Sequence, residues 1–198
     1  MRLYDYVWSG NAHKIKLLAS ILSIDLEVVA VDLMAGEHLR PPLSELNPFC
    51  ELPILVDGGL VLRDSGAILT YLARRFGGEA WLPIEPSQAA LVGQWLGTAA
   101  ANVNFGPALA RGAEHFNYPA DRTMTSRIST RLFNALESHL STRLWLELDR
   151  PTIADIAMFP YIASAPEGGW LLDPYAAVRA WIGRVENLPG FIAMPRVP

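Results

Sequence analysis

Residues 52–72 read LPILVDGGLVLRDSGAILTYL, and this stretch decides the fold. Its apolar runs 53–56 and 60–62 are separated by Asp57-Gly58-Gly59, which is typical turn chemistry. Two short apolar runs joined in this way predict a β-hairpin. The sheet of the protein therefore includes an antiparallel pair in the middle of the first hundred residues.

A helix is predicted directly after the hairpin. Asp64-Ser65-Gly66 favours a helix N-terminus, the apolar pattern runs to Phe76, and Gly77-Gly78 ends it. The start of this helix allows two interpretations. Asp64 and Ser65 can simply cap the helix, or the Ser65 hydroxyl and the first backbone N–H groups can bind a carboxylate.

The residues before the hairpin add a strand, a helix and a second strand. The strands are predicted over 3–7 and 26–31, and the helix starts near Ala12 with Lys14 and Lys16 off its apolar stripe. An irregular, proline-rich segment follows before the hairpin. The order is therefore strand, helix, strand, loop, hairpin, helix.

Beyond a proline-containing linker the pattern is helical throughout, and no strand pattern returns. We therefore expect an α/β + all-α chain of two domains, residues 1–79 and residues 85–198. The Thr152-x-x-Asp155 pattern resembles a capping box at the start of a core helix, which is a structural role.

Composition excludes several function classes. The chain has 198 residues, 51% of them apolar, and a net charge of -4 without a basic run, so nucleic acid is not an expected partner. Residues 86–110 lack charge, but Gln88, Asn102 and Pro107 interrupt them, which predicts a buried helix rather than a membrane span. The single cysteine, Cys50, excludes an internal disulfide framework, and the N-terminus lacks the pattern of a signal peptide. We expect a cytoplasmic protein with no membrane partner.

Three strings, taken in chain order, resemble the glutathione transferase family over nearly the whole chain. They are LNPFCELPIL at 46–55, LRDSGAILTYL at 62–72 and PTIADIA at 151–157. The resemblance implies a thioredoxin-like βαβαββα domain that binds glutathione, followed by an all-helical domain. It also implies glutathione as co-substrate, no metal, and a homodimer, and the segment near Ser9 is most similar to bacterial members that use a serine.

The resemblance assigns the ends of glutathione to particular residues. Most X-Pro bonds are trans, but the family pattern implies a cis bond before Pro53, which would leave the Leu52 backbone free to pair with an extended peptide. Ser65 would bind the γ-glutamyl carboxylate, and Asp64 would lie near the ammonium, although many members have the longer Glu or Gln there. His38 is a candidate for the glycyl carboxylate or an exposed loop histidine, with Arg40 as a weaker alternative.

Conjugation requires the thiolate, because a free thiol with a pKa of ~8.5 is mostly protonated at neutral pH. Ser9, just before the first helix, is the candidate catalytic donor, aided by the helix dipole, and it could instead be a plain N-cap or turn serine. Asn11 is a second candidate donor to glutathione. Tyr4 and Tyr6 in the first strand are alternative phenol donors.

The second substrate is expected against the helical domain. Candidate walls of its apolar cleft are Trp8, Asn102 and Phe105, with Trp95 and Pro107 as further apolar candidates, and any of these residues could instead belong to the core. Cys50 either forms a mixed disulfide with glutathione or is an inert loop thiol, and the neighbouring acidic residue favours the inert role.

The sequence and the family resemblance leave three candidate functions. The first is conjugation of glutathione to a small hydrophobic electrophile. The second is glutathione-dependent reduction, peroxidase activity or isomerisation. The third is a non-catalytic binding or regulatory protein that keeps the fold.

Overall fold

The computed structural model describes residues 1–197. Four strands lie in the first third of the chain: β1 (Arg2–Asp5), β2 (Glu27–Ala30), β3 (Ile54–Asp57) and β4 (Leu60–Arg63). The helices are α1 (Gly10–Ile21), α2 (Leu43–Leu46), α3 (Ser65–Leu72), α4 (Pro86–Thr98), α5 (Leu109–Phe116), α6 (Arg122–Leu140), α7 (Ile153–Ala163) and α8 (Ala176–Glu186). The fold is therefore α/β + all-α, as predicted, while the exact boundary between 79 and 85 stays a prediction.

The sheet has the order β2-β1-β3-β4. β1 runs parallel to β2 and antiparallel to β3, and β3 and β4 form the predicted hairpin. The first strand is shorter than predicted, because the chain turns after Asp5 and the N–H of Ser9 donates to the carbonyl of Tyr6 at 2.8 Å. This turn delivers Ser9 to the start of α1.

Helix α1 is covered on two sides, by α3 and by α7. Its apolar residues Ile15 and Leu18 are fully buried in the main core. Lys14 was predicted to lie off the buried stripe, but it is only 2% exposed. The prediction failed because it assumed one buried face, whereas α7 covers a second face of the same helix.

Helix α4 continues into wider helical turns over 99–108 and bends at Gly106, whose φ of -99° and ψ of -109° are not helical. A side chain at Gly106 would meet the Oγ of Ser129 at 3.1 Å, so α6 approaches the bend closely. Within the described part of α4 itself, Val92 is the buried residue. Within the single chain the uncharged stretch is therefore buried mainly over 99–107, while the burial expected between subunits stays a prediction.

The core of the helical part is organised by Asp155, which is 0% exposed at the start of α7. Its carboxylate accepts hydrogen bonds from the N–H groups of Thr152 and Leu146 and from the indole of Trp181. With the Thr152 hydroxyl it forms the predicted capping box. Within residues 1–197, no helix has the length and apolar character needed to cross a membrane.

Candidate functional site

A cleft of ≈ 490 Å³ lies between the sheet and the helical part. Eight of the candidates named from the sequence line it together: Tyr6, Trp8, Ser9, Asn11, His38, Cys50, Leu52 and Phe105. The fold therefore gathers residues that are separated by nearly a hundred positions in the chain.

A second cavity of ≈ 360 Å³ adjoins the first. Asn11, Glu51 and Asn104 line both, so the two spaces are neighbours along one wall. Asp64 and Ser65 line the second cavity.

Ser9 caps α1. Its Oγ accepts a hydrogen bond from the N–H of Ala12 at 3.2 Å, and it is half-buried at the cleft wall. A serine hydroxyl can accept and donate at the same time, so this cap leaves its proton free for a ligand. The capping role and the catalytic role of Ser9 are therefore compatible.

Asn11 is held by two donors. Lys14 Nζ donates to its Oδ1 at 2.7 Å, and the Ser65 hydroxyl reaches the same oxygen at 3.5 Å. With Oδ1 occupied, the amide nitrogen is the group left for other partners. Burial lowers the pKa of Lys14 to about 8, against the opposing effect of the Asp64 charge.

Helix α3 starts with unpaired donors. Asp64 has a φ of 73° and caps the helix by accepting from the N–H of Ala67 at 2.9 Å. Within the described residues, the N–H groups of Ser65 and Gly66 have no partner. Both residues line the second cavity, so these N–H groups can receive an anion there.

The peptide bond between Leu52 and Pro53 is cis, as the family pattern implies. Among residues 1–197, nothing hydrogen-bonds to the backbone N–H or C=O of Leu52, which lines the cleft. Cys50 is half-buried on the same wall, with a φ of 54°. Its sulfur has one weak contact, at 4.0 Å from the carbonyl of Pro48.

His38 lies on a short 3-10 turn over Glu37–Leu39 at the edge of the cleft. Its Nδ1 is buried and has no partner within the described chain. The alternative cation, Arg40, donates to the carbonyl of Ala35 at 3.1 Å and lines neither cavity. The structure therefore places His38 at the cleft and Arg40 outside it.

The predicted walls of the apolar cleft divide into two groups. Trp8 and Phe105 lie in the first cleft, where the ring of Trp8 stacks on Phe116. Asn102 lines a separate groove against α6, and Phe105 borders that groove as well as the first cleft. Trp95 packs on His139 and donates to Glu147, so it belongs to the core rather than to a substrate wall. Pro107 is buried at the helix bend.

Sequence reasoning missed Arg111 of α5 and Tyr161 of α7, which both line the first cleft. Arg111 is 2% exposed and pairs with Glu167 at 2.8 Å, while its Nη1 donates to the carbonyl of Trp8 at 2.8 Å. Its Nη2 is buried without a partner among the described residues. Neither residue stands in a motif, so only the packing of α5 and α7 against the Ser9 turn identifies them.

Tyr6 occupies the same wall, where its ring meets Trp8 edge-to-face. Its hydroxyl is buried and unpaired within the described chain. Burial raises the pKa of Tyr6, so the phenol keeps its proton at neutral pH. Tyr4, the other phenol proposed from sequence, packs on the small cluster of Val31, Leu43 and Ile54 instead.

Known proteins resemble the chain over most of its length. Residues 1–74 match the model of the glutathione S-transferase N-terminal domain, and residues 119–189 match that of the C-terminal domain. Disulfide-bond oxidoreductase YfcG of Escherichia coli (strain K12) is 33% identical over 192 residues, covering 90% of this chain and 87% of that protein. Glutathione S-transferase 2 of Anopheles gambiae is 31% identical over 185 residues, covering 92% and 88%. The crystal structure of a glutathione S-transferase from Pseudomonas fluorescens superposes with a TM-score of 0.90 at 30% identity, covering 98% of both chains. The chain belongs to the glutathione S-transferase family.

Proposed function

We propose that the protein is a glutathione transferase, which binds glutathione along the two adjoining cavities and conjugates its sulfur to an electrophile. The observation that carries the proposal is a set of polar groups that border the two cavities and have no partner among residues 1–197. The unpaired N–H groups of Ser65 and Gly66, the unpaired backbone of Leu52 and the buried Nδ1 of His38 all border these cavities.

The chemistry of glutathione fits these groups in order. The γ-glutamyl carboxylate takes the N–H groups at the start of α3 and the Ser65 hydroxyl, with the Asp64 charge near the ammonium. The cysteinyl backbone pairs with the N–H and C=O of Leu52 next to Pro53. The glycyl carboxylate takes His38. Asn11, held by Lys14, presents its amide nitrogen toward the middle of the peptide.

Ser9 is the proposed catalytic donor. Its hydroxyl donates a hydrogen bond to the sulfur, which stabilises the thiolate. The thiol proton passes to solvent through the cleft. The thiolate then supplies the electron pair of the new carbon–sulfur bond. In a displacement, the leaving group departs with the pair of the bond that breaks. In an addition to a conjugated carbonyl, the pair moves onto the carbonyl oxygen, which takes a proton from water.

The second substrate is proposed to have an apolar body and an oxygen acceptor. Trp8, Phe105 and Phe116 supply apolar walls, which suit a small hydrophobic electrophile. Among the described residues, the Arg111 Nη2 and the Tyr6 hydroxyl on the same wall are donors without partners, which is unfavourable in a buried site. An acceptor oxygen on the substrate would supply the missing partner. Because Glu167 already balances the charge of Arg111, a neutral carbonyl or nitro oxygen suits the site better than a free carboxylate.

Calorimetry with glutathione and kinetics of conjugation to an activated aryl chloride test the proposal. We expect saturable binding, and a Ser9→Ala variant whose kcat/KM falls by about tenfold or more with little change in glutathione affinity. Ser20→Ala, at the far end of the same helix, is the matched control and should behave like the parent. Absence of saturable binding would refute the enzyme, and binding without turnover of any electrophile would favour a non-catalytic, regulatory role.

A second candidate is glutathione-dependent disulfide reduction. Two observations favour it: the similarity to the disulfide-bond oxidoreductase of Escherichia coli, and the position of Cys50 on the cleft wall. In this reaction two glutathione molecules are oxidised to one glutathione disulfide, and the substrate disulfide is reduced to two thiols. Reduction of hydroxyethyl disulfide that exceeds aryl conjugation would favour this function, and its loss in Cys50→Ser would assign the step to that thiol.

We also propose a homodimer that acts in the cytoplasm. The uncharged helix α4 exposes most of its surface in the single chain, including Leu91 at 39% exposure, which suits coverage by a second copy. The cytosol maintains reduced glutathione, the substrate proposed here. Sedimentation equilibrium at micromolar concentration tests the dimer, which a monomer mass would contradict.

A further inference from the structure

Tyr161 reaches across from the helical part to the first turn of α1. Its ring lies on Gly10 so closely that a Cβ at position 10 would sit 2.6 Å from Cζ and 2.7 Å from Cε1. Tyr161 also lines the first cleft together with Ser9. A residue of the second domain is therefore built into the wall where the thiol chemistry is proposed.

The hydroxyl of Tyr161 lies at the N-terminus of α1. The Ser9 side chain and the backbone N–H groups of Gly10 and Asn11 lie beside the phenol, whose ring covers Gly10. A phenol oxygen that accepts from backbone N–H groups retains its own proton for donation. The phenol therefore lies between the first turn of α1 and the cleft, where its hydroxyl can donate a hydrogen bond to a ligand.

Burial keeps this phenol protonated. It raises the pKa of Tyr161, and the smaller effects of the Arg111 charge and of the first turn of α1 oppose it. Lys14 Nζ lies 5.6 Å from the centre of the same ring. Lys14 is thus a buried cation near the phenol without a carboxylate partner among the described residues, and its charge favours negative charge on a sulfur placed beside the ring.

We propose that Tyr161 is a second catalytic residue, whose hydroxyl donates a hydrogen bond to the glutathione sulfur alongside Ser9. The inference rests on the proposed binding of glutathione. The thiolate site is then shared between two domains, one hydroxyl coming from the turn before α1 and one from α7. Loss of either donor alone leaves the other in place, so single variants retain part of the thiolate stabilisation.

Ultraviolet titration of the thiolate of bound glutathione tests the proposal on the full chain. Tyr161→Phe keeps the ring on Gly10 and removes only the hydroxyl, so we expect the thiolate pKa to rise by about one unit, a tenfold change. The Ser9→Ala/Tyr161→Phe double variant should approach the value of free glutathione. Tyr4→Phe is the matched control, because Tyr4 packs away from both cavities, and it should leave the thiolate pKa unchanged.

Binding of S-methylglutathione separates a catalytic role from a structural one. This ligand has no thiolate, so its affinity should be the same in the parent and in Tyr161→Phe. An unchanged thiolate pKa in Tyr161→Phe, or an equal loss of S-methylglutathione affinity, would overturn the inference while glutathione binding stands. If neither protein binds glutathione or S-methylglutathione, the proposed function fails and the inference fails with it.

Discussion

Lys14 Nζ donates to Asn11 Oδ1 over 2.7 Å inside the protein, where Lys14 is 2% exposed. No carboxylate of the described chain lies within ion-pair distance of this ammonium. A buried lysine without a carboxylate partner is costly to fold, which is consistent with its pKa being lowered to about 8. Its value to the protein is therefore expected in binding rather than in stability.

Lys14→Met tests whether Lys14 contributes to ligand binding rather than to stability. The variant loses the hydrogen bond that orients Asn11 and the cation beside the second cavity, so we expect glutathione to bind about tenfold more weakly. We also expect the urea midpoint of unfolding to stay the same or rise, because a buried charge is removed. Calorimetry and urea denaturation measure the two effects. Arg40→Met, a change outside both cavities, should keep the parent affinity, and a Lys14→Met protein with normal affinity and lower stability would contradict the argument.

Tyr6→Phe tests the oxygen-acceptor site for the second substrate. The change removes only the unpaired hydroxyl, so kcat/KM should fall about fivefold for an unsaturated aldehyde of medium length. A benzyl halide has no acceptor oxygen, and its kcat/KM should not change. Parallel steady-state assays at one pH give the ratio of kcat/KM between the parent and the variant for each electrophile. Equal losses for both electrophiles would assign Tyr6 to cleft packing instead.

His13 makes the stability of the fold sensitive to acid. Burial, with the charge of Lys16 as a smaller cause, lowers the pKa of His13 to about 4, and its Nε2 contacts the carbonyl of Ile192 at 3.1 Å. The unfolded chain protonates this histidine near pH 6.5, whereas the folded chain does not until about pH 4. Between these values the unfolded state binds more protons, so the free energy of unfolding falls as pH falls, by about 3 kcal/mol.

The measurement is urea unfolding at steps between pH 7 and pH 4. His13→Gln cannot titrate, although its amide can still donate to Ile192, so its stability curve should be flatter over this range by the stated amount. If the parent and the variant show the same slope, other groups cause the acid sensitivity.

Asp155 should be the most sensitive polar position of the helical part. Asp155→Ala leaves the donors of Thr152, Leu146 and Trp181 without their acceptor in a buried site, and we expect a loss of about 3 kcal/mol or more. Thr152→Val removes one capping hydroxyl and should cost about 1 kcal/mol. Thermal or urea unfolding ranks the two. An Asp155→Ala loss no larger than that of Thr152→Val would show that the buried network contributes little.

The local elements of the fold were predictable because their signals are local. The hairpin turn at 57–59, the cap at Asp64 and the capping box at Thr152 each depend on a few adjacent residues, and the structure has all three. Ser9, at a predicted helix start, and Leu52, in the first family string, both line the cleft, while their roles toward glutathione stay predictions.

The rest depends on contacts between distant segments. Lys14 looked exposed because α7, more than a hundred residues later, covers the second face of its helix. Tyr161 and Arg111 belong to ordinary helical patterns, and only packing brings them to the cleft. Asn102 lines a groove against α6 instead of the first cleft, and this depends on the packing of α6, a segment distant in the chain.

Gly10 is expected to be required by the ring of Tyr161 rather than by its own backbone. Gly10→Ala places a Cβ within 2.6–2.9 Å of three ring atoms of Tyr161. The ring is rigid and packed from both domains, so it must move, and we expect a loss of about 1–3 kcal/mol in the free energy of unfolding. The displaced ring also carries its hydroxyl away from the N-terminus of α1, so the thiolate pKa of bound glutathione should rise in the same variant.

A control variant and a double-mutant cycle separate this clash from the general effect of replacing glycine with alanine. Gly93→Ala lies inside α4 with nothing within 4 Å of the new Cβ, and it should stabilise the protein by about 0.5–1 kcal/mol, since alanine favours helix over glycine. In a Tyr161→Ala background the clash is absent, so Gly10→Ala should cost almost nothing. Urea unfolding of the four proteins gives the coupling energy between the two positions. A coupling near zero would mean that Gly10 is needed for the turn after Ser9, and that the two domains meet at this point without depending on one another.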